Sequence, residues 1–400
     1  MRPSEPVFLG AGIVSLRVFI LAGEPSGDRL GGALMAGLKH LAPGVTFDGI
    51  GGPLMQEQGL VSRFAMDELS VMGIAEVLPK YRHLKRRIRE TAEAVIASQP
   101  DVMITIDSPD FSLRVAKLVK EASDVRTVHY VAPSVWAWRP KRATKMAQCI
   151  DHVLALLPFE PPYMQAAGMD CDFVGHPVVN EPLATSDEIT AFRTAFDLGD
   201  APYLVALPGS RRSEVGRLAP VFGEAVQNFV LQHPDMRVVV PAAAPVAQLV
   251  RENLQNWPRN TVLVDPNLLD AETAKAHKRA AFAGADLALA ASGTVSLELA
   301  QAQTPMVIAY TFKWLTWQLM KRMALIDTVT LVNLVSDTRV VPECLGPACA
   351  PDQITAQLSA VLSNPNGQLD AMALTMERLG QGGEAPGLRA AQAVLHRLPA

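Results

Sequence analysis

Short apolar, β-branched runs recur along this chain, each closing in a turn before apolar positions resume at helical spacing. Residues 102–106 read VMITI, the composition of a strand buried on both faces of a parallel sheet. The run ends in Asp107-Ser108-Pro109-Asp110, after which Leu113, Ala116 and Val119 predict a helix. Similar strands are predicted at 17–21, 127–131, 153–157 and 171–174. The rhythm pauses at 177–182, which reads as a linker, and restarts at 203–207, 237–240, 262–264, 286–290 and 306–310. Helices near 352–362, 369–379 and 387–398 close the chain. The alternation predicts an α/β protein with two consecutive Rossmann-like domains. Their bounds are read as 1–180 and 181–365, with 366–400 as terminal helices able to return to the first domain.

Composition narrows the picture. At 400 residues and 49% apolar, the chain can bury two cores of ordinary size. A net charge of −4 argues against a nucleic-acid footprint over the whole molecule. The four cysteines (Cys149, Cys171, Cys344, Cys349) show no CxxC pair and read as reduced, buried thiols of a cytosolic protein. Residues 1–15 read as a loose extension, because Arg17 interrupts the apolar stretch and a strand begins there.

The chemistry gathers where strands end. In open α/β sheets ligands bind outside the carboxyl ends of the strands. Two acids follow residues 102–106, and a turn that only caps a helix needs one. Asp107 is therefore read as the chemical acid and Asp110 as the cap. After the first strand, Gly23-Glu24-Pro25-Ser26-Gly27-Asp28 leads into a helix expected from about Leu30. This spacing is not GxGxxG, so a dinucleotide site is not indicated. Glu24, Ser26 and Asp28 suit a hydroxyl-rich ligand or a tight turn, since carboxylates repel phosphate and accept from sugar hydroxyls.

Trp136 and Trp138 beside Arg139, Lys141 and Arg142 could wall a ligand or pack a domain edge. His176 reads as a hydrogen-bonded structural residue rather than a base. In the second half, Pro208-Gly209-Ser210-Arg211-Arg212-Ser213-Glu214 adds arginine to glycine and serine, which suits a diphosphate. Ser292-Gly293-Thr294 offers donors at a helix start, with Glu298 one turn deeper, placed to take the two hydroxyls of a ribose. Finally, Val71, Met72, Ile74, Val77 and Leu78 precede a basic run that includes Lys85, Arg86 and Arg87. That run is either an anionic-membrane docking surface or a solvated helix face.

Taken in order, AGEPSGD (22–28), GIGGPLM (49–55), VMGIAEVL (71–78), IDSPDF (106–111), HYVAPSVWAWRPKR (129–142), LPFE (157–160), FVGHP (173–177), LPGSRRSEV (207–215) and ASGTVSLE (291–298) resemble the lipid-A-disaccharide synthase family. The resemblance implies two Rossmann-like domains facing across a cleft (the GT-B type). It also implies an inverting transfer of 2,3-diacylglucosamine from UDP to 2,3-diacylglucosamine 1-phosphate, giving the β(1→6) disaccharide 1-phosphate and UDP. In that family the acid matching Asp107 is the favoured general base. Glu24, Ser26, Asp28, Asp110, Trp136 and Arg139 then fall on the acceptor side. Ser210, Arg211, Glu214, Ser292, Gly293, Thr294, Glu298, Tyr310 and Asn333 fall on the UDP side. No cofactor or metal is implied, and the acylated substrates imply peripheral contact with the inner membrane from the cytoplasm. Pro25 stands where the family has a small residue or Thr, and Cys344-Leu345-Gly346 where it has a Gln. Two other readings remain: another UDP-sugar enzyme of this architecture, of the UDP-N-acetylglucosamine epimerase or lipid II transferase type, or a non-catalytic nucleotide-binding membrane adaptor.

Overall fold

The computed structural model describes residues 16–69, 74–312 and 314–398. The first six strands are β1 (Arg17–Ala22), β2 (Thr46–Ile50), β3 (Val102–Ile106), β4 (Arg126–Tyr130), β5 (His152–Ala155) and β6 (Asp170–Phe173). They form one parallel sheet in the order β2-β1-β3-β4-β5-β6. The next six are β7 (Tyr203–Leu207), β8 (Arg237–Pro241), β9 (Thr261–Val264), β10 (Leu287–Ala290), β11 (Met306–Tyr310) and β12 (Glu343–Leu345). They form a second parallel sheet, β12-β11-β10-β7-β8-β9. β1, β3 and β7 carry almost unbroken apolar runs because helices cover both faces of each sheet.

Strand order locates the places where each sheet can hold a ligand. In the first sheet the chain runs from β1 outward to β2 and then returns to the other side of β1 for β3. Ala22 pairs with Ile106, so the loops after β1 and β3 leave the sheet side by side. In the second, the same reversal falls between β7 and β10, where Leu207 pairs with Ala290. Crevices open at such switch points because the two flanking connections diverge to opposite faces.

By contacts the chain divides into two units. One holds residues up to Val135, Pro140–Pro177 and the chain from Glu384; the other holds Trp136–Arg139 and Val178–Gly383. The stretch read as 366–400 therefore divides. Its helix Asn366–Arg378 stays with the second unit, where Gln368 caps β11 through Met306 N and O at 2.8 and 3.0 Å. The helix Pro386–His396 packs on Pro25–Leu41 in the first unit. The approach is close because both helices present glycine: a Cβ on Gly37 would lie 2.7 Å from the Gly387 carbonyl oxygen.

Local readings shift in a few places. The helix expected from Leu30 begins at Pro25, because proline at the first helical position needs no N–H partner. The linker read at 177–182 contains a 3₁₀ turn, Pro177–Asn180. β12, only three residues long, and the helices Ser186–Ala195 and Ala271–Ala283 carry too little pattern for the apolar rhythm to reveal. Val71 and Met72 lie outside the described residues. Ile74, Val77 and Leu78 fall on the helix Ile74–Ser98, in a part whose side chains are also outside them. Among the described residues no helix is long and apolar enough to cross a membrane.

Candidate functional site

The first unit has a cavity of about 310 Å³ over the ends of β3 and β4. Its lining includes Asp107, Pro109, His129, Val131, Arg142 and Lys145. Asp107 continues the β ladder, its N–H donating to the Tyr130 carbonyl at 3.0 Å, and then turns through a left-handed φ of 49°. Ser108 follows at φ 46° as N-cap of the helix Pro109–Ala122, with no side-chain cap hydrogen bond. The Ser112 hydroxyl ties the turn from inside by donating to the Asp107 carbonyl at 2.7 Å. The Asp107 carboxylate itself has no hydrogen-bond or ion-pair partner among the described residues. Asp110, expected as the cap, instead sits exposed in the first helical turn, where it can favour the helix only through the dipole.

Strain collects at this cavity. Val131 has φ 86°, a region costly for a β-branched residue, and its N–H donates to the Leu154 carbonyl at 3.0 Å. Such conformations persist only where the surroundings over-determine them, and they cluster at ligand sites. His129 is buried at the cavity floor, with Nδ1 2.7 Å from the Thr105 hydroxyl. Burial pushes its imidazole down to about 4, so it is neutral near pH 7. The patterns at the strand ends did not single out His129, Arg142 and Lys145 as one group. The available signal was the i, i+3 spacing of the two cations on the helix Lys141–Met146.

The loop after β1 is divided in its use. Glu24 is half-buried and Ser26 exposed, beside the Asp107 turn: a Cβ on Gly23 would lie 2.7 Å from the Ser108 hydroxyl. Asp28, read as acceptor-side, has its carboxylate engaged within the protein. It is 3% exposed, and its carboxylate accepts from the N–H groups of Gly52, Leu54 and Met55 at 2.8, 3.0 and 3.1 Å. It therefore caps the helix Pro53–Glu57, which has no cap of its own at Gly52. Trp136 and Arg139 were placed with the first domain but group with the second unit, where Ala137 O accepts from Leu325 N at 2.9 Å. Trp136 is buried, and Arg139 stacks on the Trp138 ring at 3.9 Å. His176 is buried and pushed down to about 4 by desolvation, as suits a structural histidine.

In the second unit the loops after β7 and β10 meet at the switch point. Gly209 has φ 119°, and a Cβ there would lie 2.6 Å from Glu214 Cβ, so only glycine fits. Glu214, expected on the UDP side, braces the loop: it accepts from Ser210 N at 3.1 Å and Arg211 N at 3.3 Å. Those two N–H groups are thus engaged, and the loop exposes the Ser210 hydroxyl and the Arg211 side chain, whose Nη1 also donates to Glu214 at 3.3 Å. The Tyr310 hydroxyl stands 3.5 Å from Glu214, and burial first and that carboxylate second push it above its ordinary range. Gly293 has φ 132° with open space where a Cβ would be, and Ser292 and Thr294 flank it. Glu298 is half-buried and ion-paired with Lys278.

Asn333, read as a nucleotide contact, has its side-chain amide engaged within the protein. It is 1% exposed and exchanges hydrogen bonds with Val341, donating to its O at 2.9 Å and accepting from its N at 3.0 Å. Arg87, read as membrane-facing, is engaged within the protein, as is Arg86 through Glu90 at 3.5 Å. Arg87 is held by Glu68 at 2.8 and 2.9 Å and by Glu90 at 2.9 Å. Lys85 and Arg86 are exposed.

Comparison with known proteins places these features. The lipid-A-disaccharide synthetase family matches residues 18–395. The lipid-A-disaccharide synthase of Ruegeria pomeroyi is 70% identical over the full length of both chains. That of Rhodospirillum centenum is 46% identical over 95% of this chain and 94% of its own. Among solved structures, the Staphylococcus aureus MnaA complex with UDP superposes with a TM-score of 0.61 at 11% identity, covering 96% of each chain. The UDP-N-acetylglucosamine 2-epimerase of Neisseria meningitidis bound to UDP-GlcNAc gives 0.59 at 13% identity, covering 96% of this chain and 98% of that one. At such identities the structural likeness speaks for the fold, and the sequence likeness for the family. The chain belongs to the lipid-A-disaccharide synthase family.

Proposed function

We propose that this chain transfers 2,3-diacylglucosamine from its UDP donor to the 6-hydroxyl of 2,3-diacylglucosamine 1-phosphate, giving the β(1→6) disaccharide 1-phosphate. The bond from O6 to the donor anomeric carbon forms as the bond from that carbon to UDP breaks. UDP leaves with the electron pair, and the O6 proton passes to a base. Attack opposite the leaving group inverts the anomeric centre.

Asp107 is the base in this reading. The observation that carries it is an unpartnered carboxylate lining a cavity over the carboxyl ends of β3 and β4. A carboxylate locked in an ion pair could not take a proton at the moment of attack. General base catalysis contributes roughly 10²–10⁴ in rate. On the donor side, Ser210 and Arg211 take the diphosphate, and the open backbone at Gly293 lets it approach Ser292 and Thr294. Glu298 reaches the ribose after exchanging Lys278 for the ligand hydroxyls, and Tyr310 holds Glu214 in its bracing position. Glu24 and Ser26, beside the Asp107 turn, face the acceptor sugar.

Both substrates carry acyl chains, which supports a working position at the inner-membrane surface, reached from the cytoplasm. The exposed Lys85 and Arg86 on the helix Ile74–Ser98 are the groups described for that contact. The experiment that tests the function is a turnover assay on the purified chain with both acylated substrates, the product linkage and anomeric configuration read by NMR. Release of UDP without a β(1→6) disaccharide, or epimerisation of the donor sugar, overturns the reading.

A further inference from the structure

The cavity that contains Asp107 is also lined by two cations. Arg142 and Lys145 lie three residues apart on the helix Lys141–Met146, so they share one face, and both line the cavity. Both are exposed. Neither has a hydrogen bond or ion pair among the described residues, whereas Lys120, Arg126 and Arg87 in the same unit are each held by a carboxylate. Asp107 is the only carboxylate in the cavity lining, and it is unpartnered as well. A cavity lined by one free carboxylate and two free cations suits a ligand that carries both a hydroxyl and an anionic group.

Size narrows the choice further. At about 310 Å³ the cavity stands near the lower end of the roughly 300–1,000 Å³ usual for small-molecule sites, room for one sugar phosphate head but not its acyl chains. In the acceptor the 1-phosphate and the 6-hydroxymethyl group sit on the two carbons that flank the ring oxygen of one hexose, so one cavity of this size holds both. We propose that Arg142 and Lys145 receive the 1-phosphate of the acceptor sugar, so that the cavity grips this substrate by its phosphate and presents its 6-hydroxyl to Asp107. This rests on the transfer reaction proposed above and adds to it the groups that select a phosphorylated acceptor. Arg142 supplies a planar fork that can pair two phosphate oxygens, and Lys145 a compact charge that needs no fixed orientation. Both act by binding the acceptor and take no part in proton transfer.

The test uses the full chain with Arg142→Gln, Lys145→Gln and the double variant. Each single change raises the acceptor KM about tenfold and the pair about 100-fold, the loss expected for charge-assisted hydrogen bonds. The donor KM stays as in wild type and kcat falls by less than about twofold, because only a binding interaction is removed. Arg142→Lys keeps the charge but not the fork and recovers part of the acceptor affinity lost in Arg142→Gln, which a purely structural role would not require. The wild-type preference for the phosphorylated acceptor over its dephosphorylated analogue collapses in the double variant. An unchanged acceptor KM in the double variant, or an equal rise for the dephosphorylated analogue, overturns the proposal. Binding of glucosamine 1-phosphate against glucosamine, followed by ligand NMR, reads the same site without turnover. If the wild type binds the phosphate and the double variant does not, while no disaccharide forms, the transfer reaction fails and the phosphate site stands.

Discussion

Arg397 grips Asp172 from 225 residues further along the chain, with Nη2 3.1 Å from Oδ1 and Nε 3.2 Å from Oδ2. Its Nη1 also holds Asp170 at 2.9 Å. Burial alone would push the Asp172 carboxyl up; the contacts with Arg397 and His152 outweigh it and hold the carboxyl below its usual range. The two acids stand at β6, the outer strand of the first sheet, and the helix Pro386–His396 leads into Arg397. The pairing therefore pins the end of the chain onto the domain where it began. Arg397→Ala should cost about 1 kcal/mol, since the groups are about a third exposed and water screens them. Denaturant unfolding followed separately for the two units should show the loss in the first unit and leave the second unchanged.

Asp107→Asn keeps the shape of the turn and removes the proton acceptor. Turnover should fall about 10²–10⁴-fold, with UDP binding measured by calorimetry unchanged. A variant that turns over within about twofold of wild type removes Asp107 from the base role.

Asp28→Ala should behave differently from a change in an acceptor ligand. It leaves three backbone N–H groups without their carboxylate, a loss on the order of 3 kcal/mol. The expected reading is a lower unfolding midpoint with little change in acceptor KM at temperatures where the protein remains folded. A raised KM at full stability would return Asp28 to the acceptor.

Acid should destabilise the first unit through His129 and His176. Desolvation lowers each in the folded state to about 4, against the unexceptional value of an unfolded histidine near 6.5. The unfolded chain thus binds more protons between those values, and stability rises with pH across that window. It is complete above about 6.5 and declines as pH falls toward 4, by on the order of 3 kcal/mol for each residue. His129→Gln should flatten the curve, as read from urea midpoints across that range.

Membrane contact makes a prediction that separates neighbouring basic residues. Replacing Lys85 and Arg86 with Ser should weaken binding to anionic vesicles by roughly tenfold or more, each charge contributing about 1 kcal/mol. Arg87→Ser should instead lower stability, because Arg87 is tied to Glu68 and Glu90. Vesicle co-sedimentation at low salt distinguishes the two, and unchanged binding of the first variant would leave that helix face as an ordinary solvated one.

The apolar runs and their closing turns were enough to predict two parallel α/β halves, because a strand covered on both faces must be apolar throughout whatever surrounds it. The same turns marked Asp107, Ser210-Arg211 and Ser292-Gly293-Thr294, since ligand chemistry in such sheets gathers at strand ends. What a side chain does with its charge was decided by distant segments. Asp28 and Glu24 look alike in the sequence, yet three N–H groups from residues 52–55 draw one inward and not the other. Arg87 and Arg86 are adjacent in one basic run, and only the approach of Glu68 tells them apart. Asn333 is fixed by Val341, and Glu214 by the loop it braces. Local pattern sets secondary structure because backbone preference and burial repeat over a few residues. Partnership depends on which strands become neighbours, and only the folded chain brings Arg142 and Lys145 into one cavity with Asp107.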